Sequence, residues 1–136
     1  MLPSFRFHHI GYAVHKIAIT AEYYSRAGWS ISDEQIDPIQ NTKIAFLSKK
    51  GFPMIELVEP VNEKSPIVKT LEKSGVTPYH ICYEVDDIDA AIVDLKKLRF
   101  IPLFKPVQAI ALNNFKICYL YNKEVGLIEI VNCNKE

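Results

Sequence analysis

The fold is decided by the sequence His-Ile-Gly-Tyr-Ala-Val at residues 9–14, which returns as His-Ile-Cys-Tyr-Glu-Val at residues 80–85. These two stretches lie 71 residues apart. A second pair, Met-Ile-Glu-Leu-Val at 54–58 and Leu-Ile-Glu-Ile-Val at 127–131, lies 73 residues apart. Because the matching stretches keep the same order in both halves, the sequence predicts two modules that share one plan.

Each module is predicted to consist of a strand, a helix and then further strands. The modules span about residues 1–60 and 77–136. Aromatic and β-branched residues predict the first strands, and later apolar or alternating runs predict the others. The predicted strands include 6–14, 42–48 and 53–59 in the first module, and 78–85, 115–121 and 126–132 in the second. The order is β-α-β-β-β twice. We therefore expect an α+β fold of paired βαβββ modules, in which curved mixed sheets surround a cleft and the helices lie outside.

Apolar residues at helical spacing follow the first strand of each module. Ile17, Ala21 and Tyr24 are separated by four and three residues, and Gly28 ends this first helix. In the second module the N-cap is Asp86 or Asp87. The apolar positions of that helix are Ile88, Ile92 and Leu95.

A linker helix is predicted between the modules, at about residues 65–74. Ser65 is its expected N-cap, Pro66 occupies the first helical position, and Gly75 closes the end. The length of 136 residues suits one domain, so the modules and the linker are expected to form a single domain over 1–136.

Composition excludes several classes of function. Sixteen Lys and Arg residues balance sixteen Asp and Glu residues. The chain therefore lacks the net positive charge that attracts nucleic acids or anionic membranes. We expect neither a membrane-spanning helix nor a signal peptide from this sequence. Three scattered cysteines, Cys82, Cys118 and Cys133, indicate reduced thiols in a cytoplasmic protein. We expect a small-molecule partner and, because open sheets leave edges to be covered, a homodimer.

His9 and His80 occupy equivalent places in the two first strands. Side chains alternate across a strand, so His9 faces away from the bulky residues Ile10 and Tyr12. His80 has the same relation to Ile81, so both histidines are predicted to lie on a face with room, away from the helices. A single strand histidine is more often a packed core residue than a ligand, and the repeat is what favours a shared function.

Glu56 and Glu129 are the stronger anomaly, because each interrupts an almost wholly apolar strand. A buried carboxylate without a partner costs several kcal/mol. Because a glutamate interrupts an apolar strand at the same place in both modules, a single explanation is favoured. A divalent metal bound by His9, Glu56, His80 and Glu129 is that explanation. Mixed nitrogen and oxygen ligation favours Ni, Co, Mn, Fe or Zn. Four protein ligands in an octahedron leave two open positions, which is typical of a catalytic site.

The paired βαβββ modules with these four residues resemble members of the vicinal oxygen chelate superfamily. That superfamily includes glyoxalase I, methylmalonyl-CoA epimerase, extradiol dioxygenases and metal-free bleomycin-resistance proteins. The resemblance spans nearly the whole chain and implies the paired-module fold with a shared metal centre. The stretches that are similar to the epimerase-like branch are 9–14, 55–60, 65–67 and 80–88.

The resemblance implies a metal-dependent isomerase or lyase that moves a proton at a carbon next to a carbonyl. The first interpretation is a methylmalonyl-CoA epimerase-like isomerase acting on a small acyl thioester. The alternatives are a glyoxalase I-like lactoylglutathione lyase and, in another class, a non-catalytic small-molecule binding protein of the resistance type. Some epimerases carry a separate glutamate base near position 44. This chain has Ile44 there, so Glu129 or Glu56 is expected to serve as the base.

Overall fold

Residues 2–133, the part of the chain that the computed structural model describes, form ten strands, three α-helices and one 3₁₀ turn. They pack as two compact units: a first unit of residues 9–79, and a second unit that runs from His80 onward and includes the segment up to His8. The first elements are β1 (Arg6–Ala13), α1 (Ile17–Arg26), β2 (Ser30–Ile31), β3 (Gln35–Asp37), β4 (Thr42–Ser48), β5 (Met54–Pro60) and α2 (Val68–Ser74). The remaining elements are β6 (Thr77–Val85), α3 (Ile88–Lys97), β7 (Ile101–Pro102), β8 (Val107–Ala109), the 3₁₀ turn (Ile110–Leu112), β9 (Phe115–Asn122) and β10 (Gly126–Asn132).

The predicted α+β class and the repeated order of elements are confirmed. In each repeat the strand that follows the helix is split into two short pieces. Strands β2 and β3 both pair antiparallel with β4, and β7 and β8 both pair antiparallel with β9. The repeat therefore extends to features too short for sequence periodicity to predict.

In the first unit the strands follow the order β2-β4-β5-β1. Strand β1 runs parallel to β5, and β4 runs antiparallel to it, so the sheet is mixed. Helix α1 covers this sheet by burying Ile17 and Ala21. Tyr12, Tyr24 and Trp29 pack against the core at its margin. The buried core consists of Val14, Ile17, Ala21, Ala45, Leu47, Ile55 and Leu57.

The second unit repeats this arrangement with the order β6-β10-β9-β7. Strand β10 is parallel to β6 and antiparallel to β9, and α3 covers the sheet. Tyr83 and Val85 join the core as the alternation predicts, but Ile81, expected on the same face, is 38% exposed. Phe5 and Leu2, which come from the other end of the sequence, also pack against this core.

The helix boundaries confirm most of the predicted signals. Asp87 is the N-cap of α3, because its side chain accepts a hydrogen bond of 3.0 Å from the Ala90 amide. Gly75, at a φ of 69°, ends α2 and donates its amide to the Leu71 carbonyl. The prediction that Ser65 caps α2 was wrong. The chain first makes a turn in which the Val68 amide bonds to the Ser65 carbonyl, and the helix begins at Val68. Within residues 2–133, no helix is long and apolar enough to cross a membrane.

The last strand of each repeat caps the helix of that repeat. The Glu59 carboxylate accepts a hydrogen bond of 2.8 Å from the Ile17 amide at the start of α1. Asn132, 73 residues later, accepts one of 2.5 Å from the Ile88 amide at the start of α3. Glu59 is also ion-paired, since its carboxylate lies 3.6 Å from the Lys43 ammonium. These contacts satisfy a backbone donor that a helix start leaves unpaired.

Glu59→Ala is expected to destabilise the chain by about 1–3 kcal/mol, because a buried amide loses its acceptor. Glu59→Gln should lose less, since its amide oxygen still accepts the bond. Urea unfolding of both variants measures the difference. Glu72→Ala, on the exposed side of α2, serves as the control and should stay within about 0.5 kcal/mol of wild type. Equal losses in the Ala and Gln variants would contradict a capping role.

Candidate functional site

The first unit brings His9 and Glu56 together on neighbouring parallel strands. Glu56 lies in register with Gly11 of β1, next but one to His9. The His9 Nε2 atom is 3.5 Å from the Glu56 carboxylate, and these side chains are only 0% and 4% exposed. Phe46 lies opposite Glu56 on β4, and its ring meets the His9 ring edge-on at 5.5 Å. A histidine, a carboxylate and an aromatic ring therefore form one buried group.

The second unit builds the same group from β6, β9 and β10. The His80 Nε2 atom is 3.0 Å from the Glu129 carboxylate, with the side chains 0% and 3% exposed. Tyr119 lies opposite Glu129 on β9, and its ring meets the His80 ring edge-on at 5.2 Å. The Phe104 ring also lies edge-on to this phenol, at a ring distance of 5.8 Å. The two units therefore hold equivalent triads.

Phe46 and Tyr119 were missed by the sequence analysis. They are 73 residues apart, the same offset as Glu56 and Glu129, so the repeat held a signal for them. His9 and His80, which were predicted to lie on a face with room, are buried, and each has an aromatic ring edge-on to its imidazole. One chemical difference separates the triads: the second has a phenol where the first has a phenyl ring.

The donor chemistry of the two triads fits a divalent metal ion. Each triad offers an imidazole nitrogen and a carboxylate oxygen, and all four side chains are buried. Burial of a carboxylate in apolar surroundings is costly unless a cation or a hydrogen-bond donor compensates its charge. Imidazole nitrogen and carboxylate oxygen donors suit a borderline ion of the Mn-to-Zn series. In the first unit His9 and Glu56, and in the second unit His80 and Glu129, are therefore the residues suited to hold a metal.

The other polar residues near these strands have different environments. His8 is partly buried, with its Nε2 atom 3.9 Å from the Glu84 carboxylate. Cys82 is buried in β6, and its thiol is 3.9 Å from the Tyr83 carbonyl. Ile44, the position at which the sequence analysis looked for a separate glutamate base, is buried opposite Val58 and is part of an apolar strand pair.

Comparison with known proteins identifies the family of this chain. A model of the Glyoxalase/Bleomycin resistance protein/Dioxygenase superfamily matches residues 8–119. Human mitochondrial methylmalonyl-CoA epimerase is 31% identical over 129 residues, which cover 92% of this chain and 72% of that protein. The ethylmalonyl-CoA/methylmalonyl-CoA epimerase of Cereibacter sphaeroides is 32% identical over 131 residues, which cover 92% of this chain and 96% of that protein.

A solved structure shows the same fold. It is a variant of Streptomyces coelicolor methylmalonyl-CoA epimerase in complex with 2-nitronate-propionyl-CoA, and it matches with a TM-score of 0.80 and 27% identity. The match covers 93% of this chain and 95% of that one. Sequence and structure thus agree over nearly the whole length, and the chain belongs to the glyoxalase/bleomycin resistance protein/dioxygenase superfamily, with methylmalonyl-CoA epimerases among its relatives.

Proposed function

We propose that this chain is a metal-dependent epimerase that inverts the carbon next to the carbonyl of a small acyl thioester, with methylmalonyl-CoA as the first substrate to test. The observation that carries the proposal is the repeated buried pair of histidine and glutamate, His9 with Glu56 and His80 with Glu129. The epimerase names of the relatives support the substrate class. The acyl-CoA analogue held by the Streptomyces coelicolor protein supports it as well.

The metal centre of this proposal uses all four residues, one pair from each unit. A divalent ion bound there would polarise the substrate carbonyl and stabilise the negative charge that develops on its oxygen. The chain's own contribution is to fix the four donors before substrate arrives. Phe46 and Tyr119 restrict the two imidazole rings through edge-on contacts, and the strand register restricts the carboxylates.

Proton transfer falls to the two glutamates in this proposal. Glu129 takes the proton from the carbon next to the carbonyl, and the electron pair of that C–H bond moves toward the carbonyl. Inversion requires a proton to return on the opposite face of the same carbon. In this proposal Glu56, the second buried carboxylate, donates that proton. Glu129 is favoured as the base because Tyr119 in register with it carries a hydroxyl, whereas Phe46 beside Glu56 carries none.

The environment of position 44 supports a base drawn from the metal-binding set. Ile44 is buried and cannot ionise, so no separate carboxylate is available at that point of β4. The same feature keeps a glyoxalase I-like lyase as the second candidate, since such a reaction also moves a proton next to a carbonyl. The homodimer predicted from the sheet edges stays a prediction.

Solvent exchange tests the proposed function and its alternatives together. The metal-loaded chain is incubated in D₂O with methylmalonyl-CoA, and in parallel with the methylglyoxal–glutathione adduct. We expect deuterium at the carbon next to the thioester carbonyl, at a rate well above that of a sample without protein. Turnover of the glutathione adduct alone would favour the lyase. No exchange on either compound with the metal site filled would favour the binding protein and overturn the proposal.

A further inference from the structure

A second cluster of potential metal ligands lies in the second unit, outside the two triads. It consists of His8, Glu84 and Cys133, whose ligand atoms all lie within 4.8 Å of one another. The His8 Nε2 atom is 3.9 Å from the nearer Glu84 oxygen. All three residues are partly buried, and they come from the start of β1, the end of β6 and the residue after β10. Three remote segments of the chain thus bring an imidazole, a carboxylate and a thiol together.

The donor set is typical of zinc. Zinc binds thiolate, imidazole and carboxylate at about 2.0–2.3 Å, so its tetrahedral ligands lie about 3.3–3.8 Å from one another. The 3.9 Å between His8 and Glu84 needs only a small adjustment to meet this range. Partial exposure leaves space for water as a fourth ligand. A thiolate ligand also distinguishes this cluster from the triads, which offer only nitrogen and oxygen donors.

Arg6 fixes the orientation of the Glu84 carboxylate. Its guanidinium contacts one Glu84 oxygen, Oε2, at 3.2 Å, and contacts Asp86 at 3.0 Å. The other Glu84 oxygen, Oε1, is the one that faces His8. Donor groups that hold the second oxygen of a ligating carboxylate are a common feature of metal sites, and they preserve ligand orientation. Arg6 therefore acts as a positioning residue for Glu84 and leaves Oε1 available to the cluster.

We propose that His8, Glu84 and Cys133 bind a second divalent ion, zinc, at a site independent of the proposed catalytic centre. The fourth ligand is water. An ion held there would tie the start of β1 and the residue after β10 to strand β6. This proposal does not depend on the epimerase activity.

Cobalt(II) tests the site, because a cysteine thiolate bound to cobalt gives an intense charge-transfer band in the near ultraviolet. The metal-free chain is titrated with cobalt while absorbance and bound metal are measured. We expect two cobalt ions per chain and a thiolate band. Cys133→Ser should abolish the band and bind one ion. His8→Ala and Glu84→Gln should weaken the cobalt binding that produces the band at least tenfold.

Matched variants separate this site from other thiols and from the triads. Cys118→Ser should keep the band, because Cys118 is fully buried and burial raises the pKa of its thiol to about 11. Asp86→Asn removes a partner of Arg6 but no ligand, and should keep it too. The double variant Glu56→Ala/Glu129→Ala should keep the band while it loses the other ion. A band that survives Cys133→Ser, or no band in a wild-type chain whose histidine–glutamate centre is loaded, would overturn the proposal.

Alkylation gives a second readout that does not require the variants to fold. Iodoacetamide is added to the wild-type chain with and without zinc, and each cysteine is quantified by mass spectrometry. Zinc is expected to slow modification of Cys133 at least tenfold. An unchanged rate at Cys133 in the zinc-loaded chain would contradict the site.

Discussion

Glu129→Gln is expected to lower kcat by about 10²–10⁴-fold on whichever substrate the wild-type chain turns over, because general-base assistance is typically worth this factor. The amide oxygen of the glutamine can still coordinate an ion, so part of the metal should remain bound. Wild type should lose activity at low pH, where a protonated carboxyl cannot take a proton, and this limb should be absent from the variant. Steady-state kinetics over a pH series, with metal content measured on the same samples, checks both statements.

The control for this experiment is Glu124→Gln, an exposed glutamate in the turn between β9 and β10. Its kcat should equal that of wild type. If Glu129→Gln keeps its metal and turns over within about threefold of wild type, Glu129 is not the base. The same measurement on Glu56→Gln would then show whether the other carboxylate takes that role.

Loss of one carboxylate ligand is expected to weaken metal binding at the proposed catalytic centre at least 100-fold. Glu56→Ala and Glu129→Ala should each bring metal content from one ion per chain to a small fraction, when prepared in the Cys133→Ser background. An ion that binds only the folded chain adds about 2.7 kcal/mol of stability at 100 times its Kd. Chelation of the parent should therefore lower its urea midpoint, while chelation of the variants should change it little.

The comparison is controlled by His15→Ala, since His15 is exposed just before α1. This variant should keep a full complement of metal. Unchanged metal content in either glutamate variant would show that the four residues do not act as one ligand set.

Much of the fold could be predicted because the chain repeats itself. The offsets of 71 and 73 residues placed the long strands and both long helices, and they singled out four polar residues in apolar strands. Each of those residues is buried and paired within its own unit. The repeat is informative because a polar residue inside an apolar strand can occur by chance once, but rarely at equivalent positions of both modules.

Features that depend on contacts between distant segments could not be predicted. The cluster of His8 and Glu84 joins residues 76 positions apart, and nothing in local periodicity indicates that the N-terminal segment packs with the second unit. The start of α2 was misplaced for a related reason. Ser65 has the residue type of a helix cap, but its side chain is buried, and its carbonyl closes the turn before Val68.

The phenol of Tyr119 and the phenyl ring of Phe46 differ by a single oxygen atom at equivalent places. A chain that arose by duplication starts with two interchangeable halves, and any ligand then has two equally good ways to bind. A hydroxyl in one half alone removes this degeneracy. In the proposed reaction this hydroxyl would distinguish the two orientations of the substrate and the two carboxylates, which would otherwise be equivalent. Loss of symmetry at one ring is thus a means by which a duplicated scaffold acquires stereochemical direction.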